Sequence, residues 1–273
     1  MRRSVCLVAL MLVAPAIKPQ SPPSANTGAA SALDGRAARC SDLAAKGPEF
    51  GPLASACIFA LSPQSLPNYV CRESIQRFTN DHYVDVLSAE VTFVYGWGDQ
   101  YSNYAENGKP ITSWANASPG WFSKALFGTQ LTAIFQPVTR TKFKLNRSAD
   151  VLSGSRAAFD FHFDWPNNFN FRSGNFRPSL SGTIWVDKAS GEIRRVETTQ
   201  TDRPHEIPTV SYSSSVDYGD VAIPDVGNVL VPMTAEMRAC MSDGNCYHNL
   251  ISFGDCRKFA STARMVPGLE TEP

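Results

Sequence analysis

The chain has 273 residues, 43% of them apolar, with 25 basic and 25 acidic side chains and a formal net charge of zero. That length allows one large domain or two small ones around an ordinary core. Balanced charge with no Lys/Arg run lacks the electrostatic footprint of a nucleic-acid binder or of a polybasic segment for an anionic lipid surface.

The N-terminus reads as an export signal. Arg2 and Arg3 precede the apolar run VCLVALMLV at residues 5–13, and Ala14-Pro15-Ala16 supplies a cleavage site. The run is far shorter than the roughly 20 residues that span a bilayer, which favours cleavage over anchoring. No later segment reads as a membrane-crossing helix. Residues 17–35 are rich in Pro, Ser and Ala and are expected to form a flexible linker. Residues 36–64 suggest short helices. Residues 62–81 predict a helix, with Ser65 as its cap, Pro67 in its first turn, and Val70, Ile75 and Phe78 as an apolar stripe.

Beyond Tyr83 the hydrophobic period becomes two. Leu87, Ala89, Val91, Phe93, Tyr95 and Trp97 fall on one face of an expected strand, with Ser88, Glu90 and Thr92 on the other. Asn107-Gly108 marks a turn. A second helix is expected over residues 117–135, with Phe122, Leu126 and Phe127 on one face and Gly128 as a point of division. From there to the end the chain reads as strands separated by short turns. No helix alternates with them, so the sheet should be antiparallel.

Six cysteines remain once Cys6 leaves with the signal: Cys40, Cys57, Cys71, Cys240, Cys246 and Cys256. An even number in an exported chain predicts disulfides, with 15 possible pairings. One pair is local. Asp243-Gly244 sits midway between Cys240 and Cys246, and a hairpin there would place the two sulfurs on facing strands.

Residues 181–197, SGTIWVDKASGEIRRVE, carry a glycine, a strand ending in Trp-Val-Asp, a small-residue turn and then Ile-Arg-Arg-Val-Glu. This stretch resembles the central hairpin of the lipoprotein-localisation (LolA-like) superfamily. The resemblance implies an α+β, mainly β fold: a curved antiparallel sheet, an unclosed barrel, with helices against its concave side. Residues 65–266 would form this half-barrel, with 267–273 as a tail. It also implies a lipid or lipidated polypeptide as guest and a periplasmic or secreted location; no catalytic residue is assigned. The LolA-like carriers lack this cysteine complement, and the C-terminal segment differs from theirs.

In residues 157–171, AAFDFHFDWPNNFNF, Asp160, His162 and Asp164 alternate with Phe159, Phe161 and Phe163. Same-face neighbours on one strand stand about 6–7 Å apart, too far to share a zinc ion without a bend. They are therefore expected to form the wet side of a strand whose aromatic side faces the interior. Cys240, Cys246, His248 and Cys256 are all metal-ligand types, but their spacing departs from common zinc sites, and oxidation to disulfides is expected instead. No Gly-x-Ser-x-Gly elbow, phosphate loop or dinucleotide fingerprint occurs, and no cofactor or metal is expected. His82, His162, His205 and His248 read as surface residues. Asp217, Asp220 and Asp225 suggest a calcium or sugar site, but their spacing fits no standard calcium loop and turn-forming aspartates explain it as well.

The aromatic residues, 11% of the chain, are the informative feature. An incompletely covered concave face leaves an apolar groove, and a groove for acyl chains needs few precise polar partners. Phe93, Tyr95, Trp97, Phe159, Phe161 and Phe163 are the expected groove or core lining. The leading reading is an exported binding protein for a lipid or lipidated polypeptide. An envelope hydrolase using a histidine with Ser or Asp, and an interaction module without ligand, remain as alternatives.

Overall fold

A computed structural model describes residues 27–62, 69–94, 97–122, 124–152, 154–164, 179–201 and 209–258. Its frame is one eleven-stranded antiparallel sheet. In chain order the strands are β1 (Tyr69–Thr79), β2 (His82–Val94), β3 (Gly98–Glu106), β4 (Lys109–Pro110), β5 (Lys142–Leu145), β6 (Arg156–Asp164), β7 (Ser179–Asp187), β8 (Ile193–Thr201), β9 (Thr209–Ile223), β10 (Gly227–Met241) and β11 (Cys246–Lys258). Their spatial order is β4-β3-β2-β1-β11-β10-β9-β8-β7-β6-β5, so β4 and β5 are the two ends and the barrel stays open. Helices α1 (Thr27–Ala44), α2 (Gly51–Leu61) and α3 (Thr129–Phe135) join the hydrophobic core of the sheet's concave side, and α4 (Arg147–Leu152) packs on β6.

The hairpins follow the turn chemistry. Asn107 and Gly108 both adopt positive φ between β3 and β4, as a two-residue hairpin turn demands. Cys240 and Cys246 face each other across the β10–β11 pair and form a disulfide. Cys40–Cys57 joins α1 to α2, and Cys71–Cys256 joins β1 to the end of β11. Every cysteine that the zinc alternative required is thus in a disulfide.

The hairpin of β7 and β8 explains its own glycines. A Cβ on Gly182 would lie 2.8 Å from the Phe161 ring and 1.8 Å from the Glu197 carbonyl oxygen. Only glycine lets β6, β7 and β8 pack this closely. A Cβ on Gly191 would lie 2.4 Å from the Ser55 Cβ, so the β7–β8 turn abuts α2.

Three expectations need correction. Residues 69–79 form β1, not a helix. Tyr69, Cys71, Glu73, Ile75 and Arg77 alternate toward the interior. Two of these five are charged, which hid the period of two and left Val70, Ile75 and Phe78 looking like a helical stripe. The expected linker already becomes helix α1 at Thr27; alanine, the best helix former, dominates this stretch. The second helix begins only after Gly128, which stands at its N-cap, and residues before it run irregularly. The strands expected at residues 168–174 and 257–266 lie outside the described residues, apart from the end of β11.

Candidate functional site: the covered face of the sheet

Phe159, Phe161 and Phe163 point into the core of the concave side and are fully enclosed, with Phe159 at 0% exposure. Phe159 packs on Phe50, Phe161 on Phe143 and Phe163. These three are core residues. Their polar neighbours on the other face are satisfied by β7 and the turn before α4. Asp160 accepts from Asn146 Nδ2 and Thr183 Oγ1, Ser179 Oγ donates to Asp164, and His162 Nδ1 lies 2.8 Å from Ser181 Oγ. The His162–Ser181 contact is a cross-strand pair at matched register. Both flanking carboxylates are held by hydroxyl groups rather than by the imidazole, so the arrangement lacks the orienting acid of a nucleophile–base–acid triad.

Phe93 sits under the segment that covers this face. A Cβ on Gly128 would fall 2.6 Å from the Phe93 ring. Tyr95 lies outside the described residues. Trp97 leaves the face altogether: β2 ends at Val94, the chain turns, and Trp97 is 81% exposed. The alternation that placed it with Phe93 stops three residues too early.

Residues 114–122 and 124–135 lie over β1, β2, β3, β9 and β11. We call them the cover. Trp114 packs against Tyr101, Tyr104 and Phe122, and Phe127 against Tyr69 and Phe253. What fixes the cover in place is polar. Asp99 of β3 accepts from the backbone N–H groups of Phe127, Gly128 and Thr129 at 2.9–3.0 Å, while Thr129 Oγ1 accepts from the Asp99 N–H. Gly128 has no side chain to cap α3, so Asp99 satisfies those orphan amides from the neighbouring strand. Tyr101 Oη accepts from Ala125 N–H. Arg77 donates to the Ser118 carbonyl, Asn249 Nδ2 to the Trp121 carbonyl, and Gln130 Nε2 to Thr198 and Ser214.

Burial pushes Asp99 up to about 6, against the lowering effect of its hydrogen bonds to Thr129, Phe127 and Gly128. Burial, with the Asp99 charge second, holds Glu73 well above the usual carboxylate range. Tyr69, Tyr101 and Tyr218 are likewise raised, by burial first. Enclosed polar atoms without a hydrogen-bond partner gather here: Tyr69 Oη, Glu73 Oε2, Arg77 Nη1, Trp114 Nε1, Gln130 Oε1 and Asn249 Oδ1. Native structures hold few such atoms, and each requires an account. Sequence inspection missed this cluster. Its only linear trace is a glutamate and an arginine on the apolar face of β1.

The remaining candidates are structural. Asp217 pairs with Arg195 and Asp220 with Arg194, and Asp225 takes positive φ in the β9–β10 turn. His248 lies 2.9 Å from Glu236, His82 is exposed, and His205 lies outside the described residues. Among the described residues no three His, Cys, Asp or Glu side chains converge on a metal position, and no helix is long and apolar enough to cross a membrane.

The molecule is therefore an open antiparallel half-barrel with a helical and irregular cover, the architecture that the hairpin resemblance implies. No family model matches the chain, and no curated protein does. Among solved structures it is similar to a LolA superfamily protein from Nitrosomonas europaea, with 13% identity over 77% of this chain and 92% of that chain, at a TM-score of 0.41.

Proposed function

We propose that the chain is an exported binding protein that takes a lipid, or the lipid of a lipidated polypeptide, between the sheet and the cover. The observation that carries this reading is the pairing of an aromatic wall with unpartnered polar atoms on one enclosed face. A lipid has the same two parts. Its chain replaces apolar side-chain contacts, and its ester, amide or carboxyl group meets Tyr69 Oη and the Glu73 carboxyl, whose affinity for its proton burial raises. The protein's own side chains pack the interior as described, so a guest enters by lifting the cover.

Hydrogen bonds fasten that cover to the sheet, and each contributes only about 0.5–1.5 kcal/mol net, because water replaces the lost partner on opening. Three disulfides and the N-terminal signal pattern support an oxidising, extracytoplasmic location. The reading includes no catalytic step.

Titration of the purified chain with a fluorescent long-chain fatty acid tests it. Saturable binding is expected, displaced by unlabelled lipid and weakened in Tyr69→Phe and Glu73→Leu. Absence of saturable binding to the folded chain refutes it.

A further inference from the structure

A cavity of about 420 Å³ lies where α1 meets the Pro137–Thr139 turn and β5, sharing no lining residue with the polar cluster under the cover. Gly35, Ala38, Arg39 and Asp42 line one side at a spacing of three and four, a single face of α1. Lys46, Arg140 and Lys142 close it from the helix end and the opposite wall.

The lining thus carries four cations and one carboxylate. None of the four forms an ion pair among the described residues. Arg39 is fixed by donating Nη2 to the Thr141 carbonyl and by lying 5.5 Å over the Phe143 ring. Its Nε–H is enclosed and has no partner. Burial holds its guanidinium below the usual range, with Asp42 acting in the other direction. Lys46 Nζ is held 3.5 Å from the Phe143 carbonyl and over the Phe50 ring.

Covering the free edge of β5 accounts for one donor each of Arg39 and Lys46. It gives no role to Arg140, Lys142 or the Arg39 Nε–H. Like charges around one concavity raise the local concentration of the opposite ion. We propose that this cavity is a site for a phosphate-type oxyanion, presented either as free phosphate or as the headgroup of a phospholipid. Arg39 and Arg140 supply guanidinium donors to such a group, and the lysines supply point charges.

Calorimetric titration of the full chain with inorganic phosphate, at constant ionic strength, tests the free ion. Co-sedimentation with phosphatidylglycerol vesicles, against phosphatidylcholine vesicles, tests the headgroup. One saturable site is expected with at least one probe. Phosphate binding alone identifies the soluble ion; vesicle binding alone identifies the headgroup.

Two variants locate the site. Gly35→Leu fills the cavity without changing any charge; no atom lies within 4 Å of a Cβ at Gly35, and the change removes a helix-weakening glycine. Lys142→Glu alters an exposed cation while leaving the Arg39 contacts in place. Each is expected to weaken binding by about tenfold or more, the worth of a charge-assisted hydrogen bond. Saturable binding of neither probe overturns the proposal. So does binding that survives Gly35→Leu unchanged, which would mark diffuse surface charge.

Discussion

Arg77 donates Nε and Nη2 to the two carboxylate oxygens of Asp85, at 2.6 and 2.5 Å, from the adjacent strand and with both side chains enclosed. The same guanidinium reaches the cover at the Ser118 carbonyl. Removing Arg77 strands the Asp85 carboxylate, and removing Asp85 leaves the enclosed Arg77 only the longer 3.7 Å pair with Glu106, so Arg77→Met or Asp85→Leu alone is expected to cost about 3–5 kcal/mol in urea unfolding. The double variant Arg77→Met/Asp85→Leu should recover most of that loss. Additive losses in the double variant would contradict the pairing.

The buried acids set a pH dependence. Asp99 is raised to about 6 and Glu73 well above its ordinary value, so the folded chain holds protons that the unfolded chain releases. Stability from such a group is whole below its unfolded value of about 4 and is lost as pH rises through its folded value. The advantage of the wild type over Asp99→Asn should therefore shrink between pH 4 and about 6. Thermal melts of the two across this range check it. An advantage that grows with pH would mean a lowered, charge-stabilised Asp99.

The aromatic residues divide sharply. Phe159→Ala empties an enclosed position and is expected to cost about 3–5 kcal/mol. Trp97→Ala removes an exposed ring in a turn and should stay within about 0.5 kcal/mol. Equal losses would show that Trp97 packs on something.

Disulfide removal should scale with the loop closed. By chain entropy, about 5 kcal/mol is expected for Cys71–Cys256, with a separation of 185, and about 2 kcal/mol for Cys240–Cys246, with a separation of 6. Double-serine variants compared in guanidinium unfolding measure both. The reverse order would contradict the entropic account.

What sequence alone revealed was local or periodic. Asp243-Gly244 between two cysteines specified the hairpin and its disulfide, and the Phe159–Phe161–Phe163 alternation specified an inward face. Failures came where distance along the chain matters. Arg77 faces inward because Asp85, 8 residues beyond it, and the cover at Ser118, 41 residues beyond it, receive its guanidinium. Without those partners the strand reads as a polar helix. Asp99 caps a helix that begins 30 residues later through three backbone amides, which carry no side-chain signature. The cavity cations fall in two groups, Arg39 with Lys46 and Arg140 with Lys142, about as far apart along the chain as Arg39 is from its acceptor Thr141, 102 residues, and no linear window brings them together.

Native mass spectrometry of the full chain, purified without detergent and then mixed with a single phospholipid, reads whether a lipid enters beneath the cover. The account predicts a folded 1:1 adduct, lost when a Cys pair introduced between cover and sheet is oxidised to hold the cover shut and regained on mild reduction that spares the native disulfides. A chain that stays ligand-free whether the cover is locked or released would contradict it.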